Sequence, residues 1–211
     1  YAGQAITTGD QNVVMGYNAG GACTTGGSNI AMGAYALDAC TTGSHNTAIG
    51  NASLSAATGE YNTAVGSATM QTTSTGDRST ALGYGALYDN TTGSQNTALG
   101  MSALENNTTA SYNTAVGYNC LSSNTTGQYL TAVGHQALEA NTTGEQNTAM
   151  GYEAASSCST TNYHTCIGFR AGRDISTGEG NTYLGHHAGL QTTESSHNVA
   201  IGRNALSLGT D

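Results

Sequence analysis

The chain is built on a five-residue unit, Asn-Thr-Ala-Val-Gly, whose most regular copy lies at residues 113–117 and which recurs twelve times with small changes. Successive copies begin 17 residues apart, except for one step of 16 residues between the third and fourth copies. A short, fixed period is the signature of repeats that stack on one another along an axis. We number the repeat from its Asn as position 1 and treat residues 1–211 as a single repeat array. The copies begin at or near Asn12, Asn29, Asn46, Asn62, Ser79, Asn96, Asn113, Leu130, Asn147, His164, Asn181 and Asn198.

The alternation of residues inside the unit predicts a short β-strand. Position 4 is apolar in every copy, position 2 is Thr, Val or Ile, and position 3 is mostly Ala. A period of two places positions 2 and 4 on one face of a strand and position 3 on the other. We expect positions 2 and 4 to fill the core, and the Ala column to form a flat face that packs against another copy of the chain. The predicted core ladder is Met15, Met32, Ile49, Val65, Leu82, Leu99, Val116, Val133, Met150, Ile167, Leu184 and Ile201.

The rest of each repeat supplies a second apolar residue and a polar turn. Leu recurs at position 9, as at Leu121, and the segment Asn124–Gly127 (Asn-Thr-Thr-Gly) is typical of a turn because Asn and Gly tolerate positive φ. Helical repeats need about 30 residues or more, so short repeats rich in Gly and Thr do not fit them. The sequence therefore predicts an all-β protein, a parallel β-solenoid of about twelve 17-residue coils. At ~4.8 Å per coil the rod would be ~58 Å long.

Composition excludes several functional classes. The 13 acidic residues outnumber four Arg, no Lys is present and the formal net charge is −9, so the chain lacks the cations that bind a nucleic acid backbone. No apolar run approaches the ~18 residues of a membrane span. No catalytic pair of carboxylates, metal-ligand spacing or cofactor motif stands out, so we expect no enzyme, metal or cofactor.

The five cysteines allow one disulfide to be considered. Cys23 and Cys40 both occupy position 12 and lie 17 residues apart, so adjacent coils should stack them within reach of a disulfide. Two reduced thiols buried in one column are the alternative, and the sequence leaves both open. The six histidines fall on at least four repeat positions, so we expect solvated turns rather than a metal site, even at the adjacent pair His186 and His187.

Six asparagines head sequons for N-glycosylation, and four of them share position 12. Glycans on adjacent coils would crowd at ~5 Å spacing, so a hydrogen-bonded Asn ladder is the favoured alternative at position 12. The Thr tracts could carry O-glycans, which the sequence does not decide. The candidate N-glycosylation sites are Asn51, Asn90, Asn106, Asn107, Asn124 and Asn141.

The repeat resembles those of two families of fibrous proteins. The unit Thr-Ala-Val-Gly-Tyr-x-Ala-Leu is similar to the Val-Ala-Ile-Gly-x-x-Ala repeat of trimeric autotransporter adhesin heads, and the segment Asn90–Leu104 resembles repeat arrays in phage tail-fibre-like proteins. The first resemblance implies parallel β-rolls assembled as a homotrimer. The repeat here is longer, and its extra residues fall in the Asn-Thr-Thr-Gly turn.

These observations predict a non-enzymatic structural component of an extracellular fibre, either a virion tail-fibre shaft or a cell-surface adhesin. Its partners would be copies of itself, in a trimer or an end-to-end filament, and surface glycans. Because the chain begins and ends within a repeat, we expect it to be a segment of a longer protein or a unit that continues axially into a neighbour. One alternative is an ice-binding solenoid, suggested by Thr columns at positions 2, 13 and 14 but opposed by the expected inward orientation of position 2. Another is a glycan-degrading tailspike.

Overall fold

A computed structural model describes residues 1–207 and contains twelve β-strands of three residues each. They form one parallel sheet in which the strands follow in sequence order, β1 to β12. No helix occurs in the described residues, so none there is long and apolar enough to cross a membrane. The all-β parallel solenoid predicted from the period is confirmed. The strands are β1 Val13–Met15, β2 Ile30–Met32, β3 Thr47–Ile49, β4 Thr63–Val65, β5 Thr80–Leu82, β6 Thr97–Leu99, β7 Thr114–Val116, β8 Thr131–Val133, β9 Thr148–Met150, β10 Thr165–Ile167, β11 Thr182–Leu184 and β12 Val199–Ile201.

Each strand pairs with the same repeat positions of the next strand. Thr114 pairs with Thr131, for example, and the short 16-residue coil keeps the same register at Thr47 and Thr63. The register survives because the missing residue falls in the polar turn and not in the strand. Outside the strands, backbone hydrogen bonds also join successive coils, as from Leu121 N–H to Ala137 O at 3.1 Å.

Each coil bends sharply at residues with positive φ. In the seventh coil, Asn119, Leu121 and Tyr129 have φ of 51°, 53° and 59°, in the left-handed region that large side chains rarely adopt. Gly117 follows β7 with φ 138°, and a Cβ there would collide with the carbonyl oxygen of Gly134 in the next coil. Position 5 therefore requires Gly, both for its backbone angle and for the close approach of the coils.

The core is a set of narrow columns running along the axis. The buried positions are Asn at 1, Ala at 3, Ala or Cys at 8, Leu at 9, Asn at 12 and Gly at 15. The prediction that the position 9 Leu is buried is confirmed for Leu37, Leu54, Leu87, Leu104, Leu121 and Leu138. It is wrong for Leu206, which is 46% exposed because it belongs to the last described coil and no described coil covers it.

The prediction that position 4 fills the core is wrong, because these side chains lie on the outside. Met15 is 59% exposed and Leu82 50% exposed, whereas Ala115 and the other alanines of position 3 are buried. A three-residue strand points only its middle side chain inward, and that Ala packs in one cluster with the position 9 Leu. The Ala column is therefore interior and is not a packing face. The correction covers Met15, Met32, Ile49, Val65, Leu82, Leu99, Val116, Val133, Met150, Ile167, Leu184 and Ile201.

The C-terminal coils fill the core in a different way. The position 9 Leu is replaced by Ala155, Gly172 and Gly189, while Tyr183 occupies position 3 and is fully buried. A Cβ on Gly189 would lie 2.5 Å from the Tyr183 ring. The Tyr183 ring therefore takes space that Leu side chains fill in the other coils.

Candidate interaction surface

The most distinctive surface of the molecule is the outer side of the sheet, formed by the side chains of positions 2 and 4 in β1–β12. We call it the strand face. Position 2 is Thr in nine consecutive strands, from Thr47 to Thr182, and position 4 is aliphatic in all twelve. No charged residue occupies either position. The strand face is therefore a continuous uncharged surface with one hydroxyl column and one aliphatic column.

The threonines of the strand face differ from those in the turns. At position 13 the hydroxyl donates to a carbonyl of the next coil, as Thr125 Oγ1 does to Thr142 O at 3.0 Å. No such bond holds the position 2 hydroxyls in the described residues, although the backbone around them is fixed by the sheet. The strand face thus presents ordered hydroxyl and methyl groups to its surroundings.

Aromatic side chains border the strand face. At position 6, just beyond the Gly corner, rings stack at centroid separations of 5.0–5.2 Å along five coils. Tyr112 and Tyr129 at position 17 stack in the same way at 5.2 Å with an interplanar angle of 5°. Because ring faces meet each other along the axis, the stacks offer mainly their edges to a ligand. The position 6 stack comprises Tyr118, His135, Tyr152, Phe169 and His186.

The asparagines of position 12 form a buried ladder. Asn124 Nδ2 donates to Asn107 Oδ1 and to Gly127 O, both at 3.0 Å. Asn141 donates in turn to Asn124 Oδ1 at 2.9 Å. The N-glycosylation prediction is therefore wrong in the folded protein for Asn90, Asn107, Asn124 and Asn141, whose side chains are buried. The favoured alternative, an Asn ladder, is confirmed.

The two other sequon asparagines, Asn51 and Asn106, are exposed. Asn106 Nδ2 donates only to Ser122 O, at 2.8 Å. Glycosylation at these two positions remains a prediction.

A second Asn ladder at position 1 was missed by the sequence reasoning. Asn113 donates its Nδ2 to Gly127 O at 2.8 Å, and its backbone N–H donates to Asn96 Oδ1 at 3.0 Å. The available signal was the recurrence of Asn as the first residue of nine of the twelve copies. Its role is structural, because each amide ties one coil to the next.

Of the two alternatives that the sequence leaves open for Cys23 and Cys40, the structure shows buried free thiols and not a disulfide. Each occupies an Asn place in the position 12 column and directs its Sγ to a carbonyl in its own coil, Gly26 O and Gly43 O respectively, at 3.5 Å. Burial raises the pKa of the Cys40 thiol to about 12. Such thiols are poor nucleophiles near neutral pH.

The expectation of solvated histidines is wrong for His164, which is buried within the position 1 column. Its Nε2 lies 3.1 Å from Thr161 Oγ1, and its Nδ1 accepts a hydrogen bond from the Asn181 backbone N–H at 3.2 Å. Burial lowers the pKa of this imidazole. His186 and His187 contact each other with ring centroids 4.0 Å apart. Within residues 1–207 no three side chains of His, Cys, Asp or Glu are grouped so that they could hold a metal ion.

Comparison of the chain with protein-family models, with curated proteins and with solved structures found no match.

Proposed function

We propose that this protein is a structural component of an extracellular fibre, without enzymatic activity, and that its chains associate side by side through the strand face. The observation that carries the proposal is the uninterrupted aliphatic column at position 4 of twelve successive strands, which none of the described residues buries. Large exposed apolar surfaces on soluble proteins usually mark interaction sites.

The size of the surface supports association. Twelve strands at ~4.8 Å extend ~58 Å along the axis. Six residue steps of ~3.3 Å separate the bordering columns at positions 17 and 6, which gives a width of ~20 Å. The resulting area of roughly 1,100 Å² exceeds the ~800 Å² that each partner contributes to a standard stable interface.

The composition of the surface supports it as well. Interface centres are depleted in charged residues and enriched in aromatic residues and Met. The strand face has no charged residue, includes Met15, Met32 and Met150, and is bordered by aromatic rings. By contrast, the polar turn at positions 13 and 14 lies outside the strands and is rich in Thr, as at Thr125 and Thr126. In the assembly we propose, this turn remains exposed and is the surface offered to glycans.

A homotrimer is the assembly that the resemblance to adhesin heads implies. Three strand faces can meet around a common axis parallel to the rods, so that each chain buries its aliphatic column against two others. The uniform repeat favours such an arrangement, because every coil then makes the same contact.

The test is the mass of purified variants by multi-angle light scattering. Val116→Lys places a charge in the middle of the strand face, where an assembly would have to bury several ammonium groups close together. Thr126→Lys adds the same charge to an exposed turn of the same coil and serves as the matched control. We expect the parent chain and Thr126→Lys to be oligomeric and Val116→Lys to be monomeric. Equal masses for all three would contradict the use of the strand face.

Binding to ice is a second candidate function, favoured by one specific observation. The nine position 2 threonines point outward, which removes the sequence-based argument against this activity. They form a regular column of hydroxyl and methyl groups in register along one parallel sheet, an arrangement suited to an ordered water lattice. Thermal hysteresis of the parent chain is the measurement, with Thr131→Lys as the variant that should abolish it. A freezing point equal to that of a non-binding protein at the same concentration would eliminate this function.

A further inference from the structure

The two columns that fill most coils change between the eighth coil, which begins at Leu130, and the ninth, which begins at Asn147. The Asn ladder of position 12 ends at Asn141, whose Oδ1 has no hydrogen-bond partner because Cys158 occupies the same position in the next coil. The Leu column ends at Leu138 and is followed by Ala155. Two stabilising columns therefore stop at the same junction.

His164 lies on the C-terminal side of this junction. It occupies position 1 of the tenth coil, where most other coils carry Asn. Its Nδ1 accepts from the Asn181 N–H, so its proton resides on Nε2 and is donated to Thr161 Oγ1. Thr161 Oγ1 lies 2.9 Å from the Cys158 thiol, which completes a buried chain of three side chains. A doubly protonated ring would set an Nδ1–H donor against the Asn181 N–H donor. The bond that links this coil to the next would then be lost.

Few charges around His164 could compensate its protonation. Burial raises the pKa of the Cys158 thiol, which therefore stays neutral. The Gly178 backbone and the Glu179 carboxylate both favour the protonated imidazole, but Glu179 is exposed, so solvent screens its charge. Burial of the ring is the dominant effect and lowers its pKa.

We propose that the coils from His164 onward form an acid-sensitive unit, which opens when His164 is protonated while the preceding coils stay folded. Each coil of a solenoid contacts only its neighbours, so opening at one junction need not spread along the rod. Because the pKa of His164 is lower in the folded than in the unfolded chain, its contribution to stability is fully present above the unfolded pKa of ~6.5 and is lost as pH falls below it. This inference is independent of the proposed function.

Hydrogen exchange measured by mass spectrometry at pH 7.5 and pH 5, corrected for intrinsic rates, tests the proposal. We expect exchange in residues 164–207 to rise about tenfold more than in residues 80–150. His164→Asn restores the residue that other coils use, with an Oδ1 acceptor for Asn181 N–H, and should abolish the difference. His135→Asn removes an exposed histidine and should leave the difference unchanged.

A uniform rise along the chain, or an unchanged response in His164→Asn, would overturn the proposal. If His164→Asn fails to fold, NMR titration of the His164 ring in the parent chain decides the matter. A ring that titrates at the ordinary histidine value refutes the acid trigger. A lowered value, coincident with the loss of protection in residues 164–207, supports it.

Discussion

Replacing Asn124 by Ala tests the Asn ladder of position 12, whose side-chain amides link successive coils. The Asn124 amide donates to Asn107 Oδ1 and Gly127 O and accepts from Asn141 Nδ2. Ala at this position removes all three bonds and introduces no clash. The consequences for the three partners are unequal, and this sets the expected cost.

Asn107 Oδ1 becomes a buried acceptor without a donor, which costs about 1–3 kcal/mol. Gly127 O keeps the bond from Asn113 Nδ2, and Asn141 Nδ2 keeps its bond to Gly144 O, so each loses about 1 kcal/mol. The expected loss in free energy of unfolding is therefore about 3–5 kcal/mol.

The assay is urea denaturation followed by circular dichroism, at one chain concentration so that any association affects all samples equally. Asn106→Ala is the matched control, since this neighbour is exposed and makes a single hydrogen bond. It should cost less than about 1 kcal/mol. If Asn124→Ala costs no more than Asn106→Ala, the reasoning about the ladder is refuted.

Three further substitutions or labels probe other parts of the repeat. Leu121→Ala empties part of the core column and should lower the free energy of unfolding by about 2–5 kcal/mol in urea denaturation, whereas a loss below 1 kcal/mol would show a collapsed or solvated core. Gly117→Ala forces Ala to adopt φ 138° while its Cβ approaches the next coil, and the backbone strain alone costs about 1–3 kcal/mol. The thermal midpoint of this variant should therefore fall clearly, and an unchanged midpoint would contradict the geometry at the Gly corner. Burial raises the pKa of the Cys120 thiol to about 12, so at pH 8 this thiol should not react with a thiol reagent until urea unfolds the chain. Peptide mass measurement detects the label, and rapid labelling of Cys120 in the folded protein would contradict its burial.

The stacking of the coils could be predicted from the sequence because the period is strict. An apolar residue every 17 positions, together with recurrent Gly, indicates a parallel solenoid. The single 16-residue step indicates a shorter turn in one coil. The position 9 Leu was also correctly assigned to the core, except in the last coil, where Leu206 is exposed. These features depend on the spacing of residues along the chain, which can be read from the sequence alone.

The orientation of the strand could not be predicted in the same way. Alternation separates Ala115 from Thr114 and Val116 but does not say which side is inward. The apolar character of Val116 favoured its assignment to the core. The interior of so narrow a coil, however, has room for only one Leu and small neighbours, so the larger strand residues lie outside. The width of the interior depends on the left-handed residues, such as Leu121 and Tyr129. Such residues give no sequence signal, because bulky side chains seldom adopt that conformation.

The candidate surface inherited this error. With Ala assigned outward, the expected packing face was the column that is in fact buried. The expectation of association rested partly on that column, and also on the uniform repeat and on the resemblance to adhesin heads. The buried role of His164 was missed because a single histidine within an Asn column is indistinguishable from a surface substitution until the column is known to be interior.

The central claim is that the strand face is an outer surface that chains of this protein bury against one another. Sedimentation equilibrium of the unmodified chain at micromolar concentration tests it most directly. We predict the mass of a trimer, retained at high salt because the contact is apolar. A single-chain mass under these conditions would contradict the claim.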